Sequence, residues 1–321
     1  MRVMVTGGGG FVGRKLLEFL DARGVAEIVI FTRKPEKWCG PGNAIPIPLN
    51  FNPSRGGDFL PAEALTEVGT IVHLAGLNAS RREGDDENFF QANWKFTERL
   101  AEHAAKAGVR RFIFLSSVKV HGEKTDGRPF RADDKLNPTD AYSRSKVKAE
   151  QGLAKICHEG GMELIIVRPP LVVGSGSKGN VSALAKAISL GIPLPLGDFP
   201  QNRRSMIGVS DLSDFLVHLI LCKDKISGSY LIQSDQPYST AALLKMLGES
   251  LMRPPRIIKV PIHLIKVTGT LLGFGDLIDR LSCDLEVDDH YTRKYFGWMP
   301  RYGLSFECQN IAKDYKFVAN R

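Results

Sequence analysis

The first fourteen residues, MRVMVTGGGGFVGR, constrain this chain more than any other stretch. Val3, Met4 and Val5 read as a short buried strand. Four glycines follow, and Phe11-Val12-Gly13 opens a helix whose apolar positions run on through Leu16, Leu17 and Leu20. In a strand–turn–helix unit, one glycine makes a turn that a Cβ forbids and a second lets the backbone approach a pyrophosphate. A third lets helix and strand pack closely, and the phosphates then meet the free N–H groups and positive dipole end of the helix. Gly8, Gly10 and Gly13 satisfy G-x-G-x-x-G, and Gly7, Gly10 and Gly13 satisfy G-x-x-G-x-x-G. The sequence leaves both open.

The pattern continues as alternating strands and helices. Glu27 to Thr32 reads as a second strand, Ala44 to Leu49 as a weak third one broken by Pro46 and Pro48, and Gly69 to Leu74 as a fourth. A long helix is predicted over Glu87 to Ala107, a fifth strand over Arg111 to Ser116, a helix within Pro138 to His158, and a sixth strand over Met162 to Val167. This alternation predicts an α/β fold, a Rossmann-type doubly wound parallel sheet with ligands outside the carboxyl ends of its strands. After Arg168-Pro-Pro170 the elements shorten. Helices are predicted over Val181–Leu190, Asp211–Cys222 and Thr240–Leu251, with Ser239 or Thr240 and Asp211 as N-caps. A strand is expected over Ser229–Gln233 and two further helices over Asp288–Phe296 and Ser305–Phe317. The expected division is a dinucleotide-binding domain over 1–170 and a smaller C-terminal α/β substrate lobe over 171–321, with the chain free to cross between them.

Strand two ends in Thr32-Arg33-Lys34, where the adenosine ribose is normally met. An acidic residue there suits the 2′-hydroxyl of NAD, and an Arg suits the 2′-phosphate of NADP. Arg33 and the missing acid therefore point to NADP, with NAD as the alternative.

A second constellation is Ser117, Tyr142 and Lys146. Ser117 follows strand five, and Tyr142 and Lys146 stand four apart on one face of a predicted helix. A nearby ammonium stabilises phenolate, so the pair predicts a lowered phenol pKa and a proton relay beside a hydride carrier, with the Ser hydroxyl holding a substrate oxygen.

Thr6-Gly-Gly-Gly-Gly-Phe-Val-Gly13, His73-Leu-Ala-Gly76, Asn93, Ser116-Ser117, Tyr142-Ser-Arg-Ser-Lys146, Arg168-Pro-Pro170 and Phe296-Gly-Trp-Met-Pro300 together resemble the extended short-chain dehydrogenase/reductases that act on nucleotide sugars. The resemblance implies that Gly7, Gly10, Phe11 and Val12 hold the pyrophosphate and that Leu74, Ala75 and Gly76 line the adenine side. It implies that Lys146 also holds the nicotinamide ribose and that Pro169 lies beside the nicotinamide. Asn50 stands where many members have an Asp that meets the adenine. Arg204 and Asn180 match positions that contact the substrate diphosphate, and Lys119 and His121, just after Ser117, become candidate substrate contacts. Dehydratases of this family carry an acid pair directly after the Ser; here the pair is Val118-Lys119, which speaks against dehydration. The stretches Ser116–Gly122, Gly127–Phe130, Lys178–Asn180 and Arg203–Ser205 look most like the 4-keto reductases that act on a UDP-4-keto-6-deoxy-N-acetylhexosamine. UDP-hexose 4-epimerase is the alternative, and a non-catalytic dinucleotide-binding regulator is a third reading that the retained Tyr and Lys disfavour. The family's habit of pairing its long helices implies a homodimer through 87–107 and 138–158.

Composition limits the other classes. The net charge of +8 is spread over scattered Lys and Arg with no long basic run, which argues against nucleic acid as partner. Cys39, Cys157, Cys222, Cys283 and Cys308 have no metal or C-x-x-C spacing, so no metal is expected and a reduced, cytoplasmic protein is. A strand that begins at residue 2 leaves no room for a signal peptide ahead of it. The most apolar stretch, Ile257 to Leu272, is interrupted by Lys259, Pro261, His263 and Lys266 and is not expected to span a membrane.

Overall fold

Arg2–Thr6 (β1) is the strand around which the first unit forms, because Val3, Met4 and Val5 are all fully buried. A strand buried on both faces belongs inside a parallel sheet covered by helices. The computed structural model describes residues 1–25, 27–32, 35, 38, 40, 44–48, 62–77, 86–177, 179–196, 201–261, 263–265 and 275–319. The helix Phe11–Ala22 (α1) leads to Glu27–Thr32 (β2) and Ala44–Pro48 (β3). Val68–His73 (β4) precedes a long helical segment, followed by Arg111–Leu115 (β5), Glu163–Arg168 (β6) and, much later, Gly228–Leu231 (β9). These form a seven-stranded sheet in the order β3-β2-β1-β4-β5-β6-β9, parallel at every pairing. This is the doubly wound arrangement that the alternating pattern predicts. Pro46 and Pro48 lie in the edge strand β3, the place where a missing N–H costs the sheet least.

The predicted helix over 87–107 is three segments: Asp86–Phe89 (α2), a π-helical turn over Phe90–Lys95, and Phe96–Lys106 (α3). The π turn places one extra residue in the helix and re-aims the side chains that follow. Ala141–Glu159 (α4) starts one residue after Asp140, whose carboxylate accepts from the Ser143 N–H at 2.7 Å while the Ser143 hydroxyl is 3.1 Å from the Asp140 N–H. This reciprocal capping box fixes where the helix begins. α3 and α4 pack on the sheet through Phe96, Leu100, Ala101, Ala104, Ala149 and Leu153, all buried in one cluster with Met4, Phe112 and Phe114.

The chain divides into two compact units, with Met1–Gly122, Ala132–Pro169 and Ser213–Leu231 in the first and Glu123–Arg131, Pro170–Leu212 and Ile232–Arg321 in the second. The second contains Leu171–Val173 (β7) paired with Met206–Gly208 (β8), and the helices Asn180–Leu190 (α5), Thr240–Ser250 (α7), Gly275–Ser282 (α8), His290–Phe296 (α9) and Gly303–Ala319 (α10). α5 ends on Gly191 at φ +70°, the left-handed stop that glycine accepts. Ser239 caps α7 as expected, accepting from the Ala242 N–H at 3.1 Å.

Asp211 is not an N-cap of its own helix, which starts earlier as Val209–Leu221 (α6). Its buried carboxylate accepts from the N–H groups of Arg301, Tyr302 and Gly303 at 2.8, 2.9 and 3.0 Å and so caps α10 instead. A buried carboxylate needs several donors, and three free N–H groups at a helix start supply them. The other end of α6 is held by Arg111, which is fully buried. Its guanidinium donates to the carbonyls of Leu219, Cys222 and Asp224 and to Glu163.

Candidate active site

The glycine turn is tightly packed. Gly7 has φ +74°, and a Cβ there would lie 2.7 Å from the Ala75 nitrogen and 2.8 Å from the Leu74 carbonyl carbon. A Cβ on Gly13 would stand 2.2 Å from the Gly7 oxygen. Gly7 and Gly13 are therefore obligatory for the turn and for helix–strand packing. Gly10 is the N-cap of α1, has no side-chain cap, and donates its N–H to the Gly7 carbonyl at 2.9 Å. An added Cβ on Gly10 would meet only that carbonyl, at 3.1 Å, and one on Gly9 nothing within 4 Å. The helix start is thus open and lined by backbone donors, which fits a dinucleotide pyrophosphate. A Cβ on Gly8 would lie 2.9 Å from Ile30 Cγ2, so Gly8 is crowded as well as Gly7 and both glycine spacings remain compatible with the turn. Phe11 and Val12 are the first helical residues.

Leu74, Ala75 and Gly76 follow β4 beside this turn. The Leu74 N–H donates to the Thr6 carbonyl at 3.2 Å and the Ala75 N–H to the Thr6 hydroxyl oxygen at 3.3 Å. Arg33 and Asn50 lie outside the described residues.

Ser117, Tyr142 and Lys146 come together at the carboxyl end of β5. Ser117 is extended, at φ −159°, and caps the short 3₁₀ turn Val118–Val120 by accepting from the Lys119 N–H at 3.2 Å. The Ser117 side chain lies near the Tyr142 phenol and favours its charged form. The Lys146 ammonium is buried, donates to the Leu115 carbonyl at 2.9 Å, and stands 4.6 Å from the Phe114 ring centre and 6.0 Å from that of Tyr142. Burial pushes the Tyr142 phenol up to about 12, against the opposing effect of Ser117. Burial also lowers Lys146 to about 8, with Glu150 opposing. This corrects the expected lowering of the phenol pKa. The ammonium serves a carbonyl and the ring, and desolvation dominates the hydroxyl.

Behind these three residues sits a buried ion pair that motif reading missed. Glu150 accepts from Arg168 at 2.7 and 3.0 Å and from the Ser116 hydroxyl at 2.5 Å. Glu150 lies four residues beyond Lys146, so the i, i+4, i+8 stripe Tyr142-Lys146-Glu150 was the available signal. His121 is buried with it: its Nε2 faces Arg168 Nη1 at 3.1 Å, and burial with the Arg168 charge lowers its pKa to about 4, keeping it neutral. Lys119 is engaged too, donating to Asp140 at 2.8 Å. Pro169 accepts from the Val118 N–H at 3.0 Å, which ties the end of β6 to the serine turn.

Asn93, inside the π turn, is fully buried. Its side chain accepts from the Leu77 N–H at 2.7 Å, donates to the Leu77 carbonyl at 3.1 Å, and donates to the Ser145 hydroxyl at 3.1 Å. In the second unit, Arg204 Nη1 donates to the Cys283 carbonyl at 3.0 Å, and Asn180 opens α5 behind the N-cap Gly179. Among the described residues no group of three or more His, Cys, Asp or Glu side chains is placed to hold a metal ion. No described helix is long and apolar enough to cross a membrane.

A parallel sheet with a glycine cradle at the head of its first helix, and a Ser, Tyr and Lys gathered at the end of β5, defines a Rossmann-type dinucleotide-dependent oxidoreductase. Residues 3–232 match the NAD dependent epimerase/dehydratase family, and the chain belongs to that enzyme family. It is 32% identical over 324 residues to a UDP-glucose 4-epimerase of Vibrio cholerae, covering 99% of this chain and 97% of the relative. It is 29% identical over 317 residues to a dTDP-6-deoxy-L-talose 4-dehydrogenase (NAD(P)(+)) of Kitasatospora kifunensis, covering 94% and 92%. The structure of MoeE5 in complex with UDP-glucuronic acid and NAD shares the fold, with a TM-score of 0.78 at 22% identity over 99% of this chain and 100% of that one.

Proposed function

We propose that the protein is an NADPH-dependent nucleotide-sugar 4-keto reductase acting on a UDP-4-keto-6-deoxy-N-acetylhexosamine. The observation that carries this reading is the gathering of Ser117, Tyr142 and Lys146 at the end of β5, with Lys119, two residues after the serine, bound to Asp140 where a dehydratase would carry a catalytic acid. Elimination of water from the sugar needs a general acid and base after the serine, and this chain has neither. One relative is named as a 4-epimerase and the other as a 4-dehydrogenase of a nucleotide sugar, which supports position 4 as the reacting carbon.

In this reading the glycine turn from Gly7 to Gly13 holds the pyrophosphate, and Lys146 and Pro169 border the nicotinamide end. The dinucleotide supplies the hydride. Ser117 orients the C4 oxygen of the sugar, and Tyr142 donates its proton to that oxygen as it gains charge. A phenol held near 12 is fully protonated at neutral pH, the state a proton donor requires. Lys146, lowered to about 8 but still mainly cationic at pH 7, stabilises the phenolate left behind. Arg204 and Asn180 are assigned to the substrate diphosphate; the Arg fork suits that anion. Arg33 favours NADP over NAD. Cys157, Cys222, Cys283 and Cys308 are free thiols, in keeping with a reducing, cytoplasmic setting.

The Vibrio cholerae relative favours a second reading, UDP-hexose 4-epimerase, for which Ser117, Tyr142 and Lys146 would serve equally. One assay separates them. NADPH absorbance should fall in proportion to added UDP-4-keto-6-deoxy-N-acetylhexosamine. Interconversion of UDP-glucose and UDP-galactose with no net loss of NADPH would replace the reductase with the epimerase.

A further inference from the structure

The buried His73 belongs to none of the roles above, yet it stands at the centre of a directed hydrogen-bond chain. The Thr97 hydroxyl donates to the Asn93 carbonyl at 2.7 Å. Its oxygen must therefore accept from His73 Nε2, 2.8 Å away. That leaves His73 Nδ1 as an acceptor, and the Thr6 hydroxyl donates to it at 2.6 Å. The Thr6 oxygen in turn accepts the Ala75 N–H at 3.3 Å. Each hydroxyl has one proton, so the direction of every bond is fixed by its neighbour. The imidazole is held neutral: burial, with the Lys146 charge adding to it, lowers its pKa to about 3. Its ring is enclosed by Phe96, Phe112 and Phe114, with centroids 5.5, 5.9 and 5.7 Å away.

The two ends of this chain are the two halves of the site. Thr6 leads directly into Gly7, and its hydroxyl fixes Ala75 against the turn. At the other end Asn93 sits in the π turn. Its amide holds Leu77 and the Ser145 hydroxyl, and Ser145 donates to the Tyr142 carbonyl at 2.7 Å. The Asn93 amide oxygen also lies 2.8 Å from where a Gly76 Cβ would be, and Lys146 Nζ 3.6 Å from the same point.

We propose that His73 is a positioning residue, which transmits the placement of the phosphate turn through Thr97 to the π turn at Asn93 and thence to the helix that carries Tyr142 and Lys146. It touches neither substrate nor cofactor. It keeps the proton donor in register with the cradle that fixes the dinucleotide, and it rests on the reading of Tyr142 as that donor.

The test is a cycle of Thr6→Val, Thr97→Val and the double variant in the full chain, with kcat, the substrate KM, NADPH affinity and Tm measured for each. Links in series fail together. Each single variant should lower kcat roughly 3- to 10-fold, the range of one net hydrogen bond, and leave the substrate KM unchanged. The double variant should be no slower than about the worse single one. NADPH affinity should show the same non-additivity, and that readout needs no turnover. Thr97→Ser, which keeps the hydroxyl, should retain wild-type kcat. His73→Gln, which keeps a donor toward Thr97, should exceed His73→Leu. Losses that multiply in the double variant, a fall in Tm with kcat unchanged, or equal activity of His73→Gln and His73→Leu would overturn the proposal. Tyr142→Phe in the same assays separates the two ideas: if that variant keeps its turnover, the reading of the site fails on its own account.

Discussion

Lys119 donates to Asp140 at 2.8 Å, and by this contact the turn that presents Ser117 is fastened to the cap of the helix that presents Tyr142. Asp140 also accepts from the Ser143 N–H at 2.7 Å. Asp140→Ala removes both and should cost about 0.5–2 kcal/mol, the usual range for an N-cap. Burial alone would raise the Asp140 carboxyl, but the bonds from Lys119 and Ser143 outweigh it and hold the carboxyl below its ordinary 3.8. A depressed folded-state pKa gives stability that is present above 3.8 and lost as pH falls through the lower folded value. Denaturant unfolding at pH 7 and pH 3 checks this: the difference between wild type and Asp140→Ala should shrink at the lower pH.

Tyr142→Phe should lower kcat by ~10²–10⁴-fold, the span of general acid–base groups. NADPH affinity should stay within a few-fold of wild type, because the phenol donates a proton and contributes little to holding the dinucleotide. Steady-state kinetics beside a fluorescence titration of NADPH measures both. Turnover close to wild type would remove Tyr142 from the mechanism.

The glycines were legible because their demand is local: Gly7 and Gly13 each face backbone within 3 Å of any added Cβ. Tyr142 and Lys146 were legible because a spacing of four in a helix is geometry in one dimension. The π turn at Phe90–Lys95 was not, since one extra residue within a long helix leaves the apolar periodicity nearly intact. Arg111 reads as the charged edge of a strand. It is instead fully buried, because its carbonyl partners at Leu219, Cys222 and Asp224 lie more than a hundred residues away. Asp211 misled for the same reason: its local sequence is that of a cap, but its donors are ninety residues on. The phenol pKa was misjudged because spacing places Lys146 near Tyr142 without showing that desolvation dominates the hydroxyl.

NADPH should bind more tightly than NADH, and Arg33→Ala should remove most of the difference. A charge-assisted hydrogen bond contributes ~1.5–3 kcal/mol, or roughly one to two orders of magnitude in affinity. Titrating both cofactors against both proteins decides it. An equal preference in wild type and variant would show that Arg33 does not contact the 2′-phosphate.

The protein should be a homodimer at micromolar concentration, joined through residues 87–107 and 138–158. Phe90 and Trp94 pack edge to face at 6.2 Å, with Lys148 4.3 Å above the Trp94 ring, so these helices carry large apolar groups beyond those that meet the sheet. Light scattering that returns a monomer mass would contradict the dimer.

Lys146 sets the last expectation. Its ammonium is buried and lowered from 10.5 to about 8, chiefly by desolvation. The folded chain therefore releases this proton well before the unfolded chain does. Between about 8 and 10.5 the unfolded state holds more protons, so this residue favours folding more as pH rises through that window. Activity should move the opposite way. The mechanism needs the ammonium, to stabilise the phenolate as Tyr142 gives up its proton, and a neutral amine offers no such charge. The profile of kcat/KM against pH reports groups of the free enzyme, so its alkaline limb should fall near 8. Lys146→Arg keeps a cation that does not titrate in this range. Whatever activity that variant retains should lose the limb near 8 while Tm stays defined across the window. A limb that stays near 8 in Lys146→Arg would assign it to another group and would leave Lys146 without its electrostatic role.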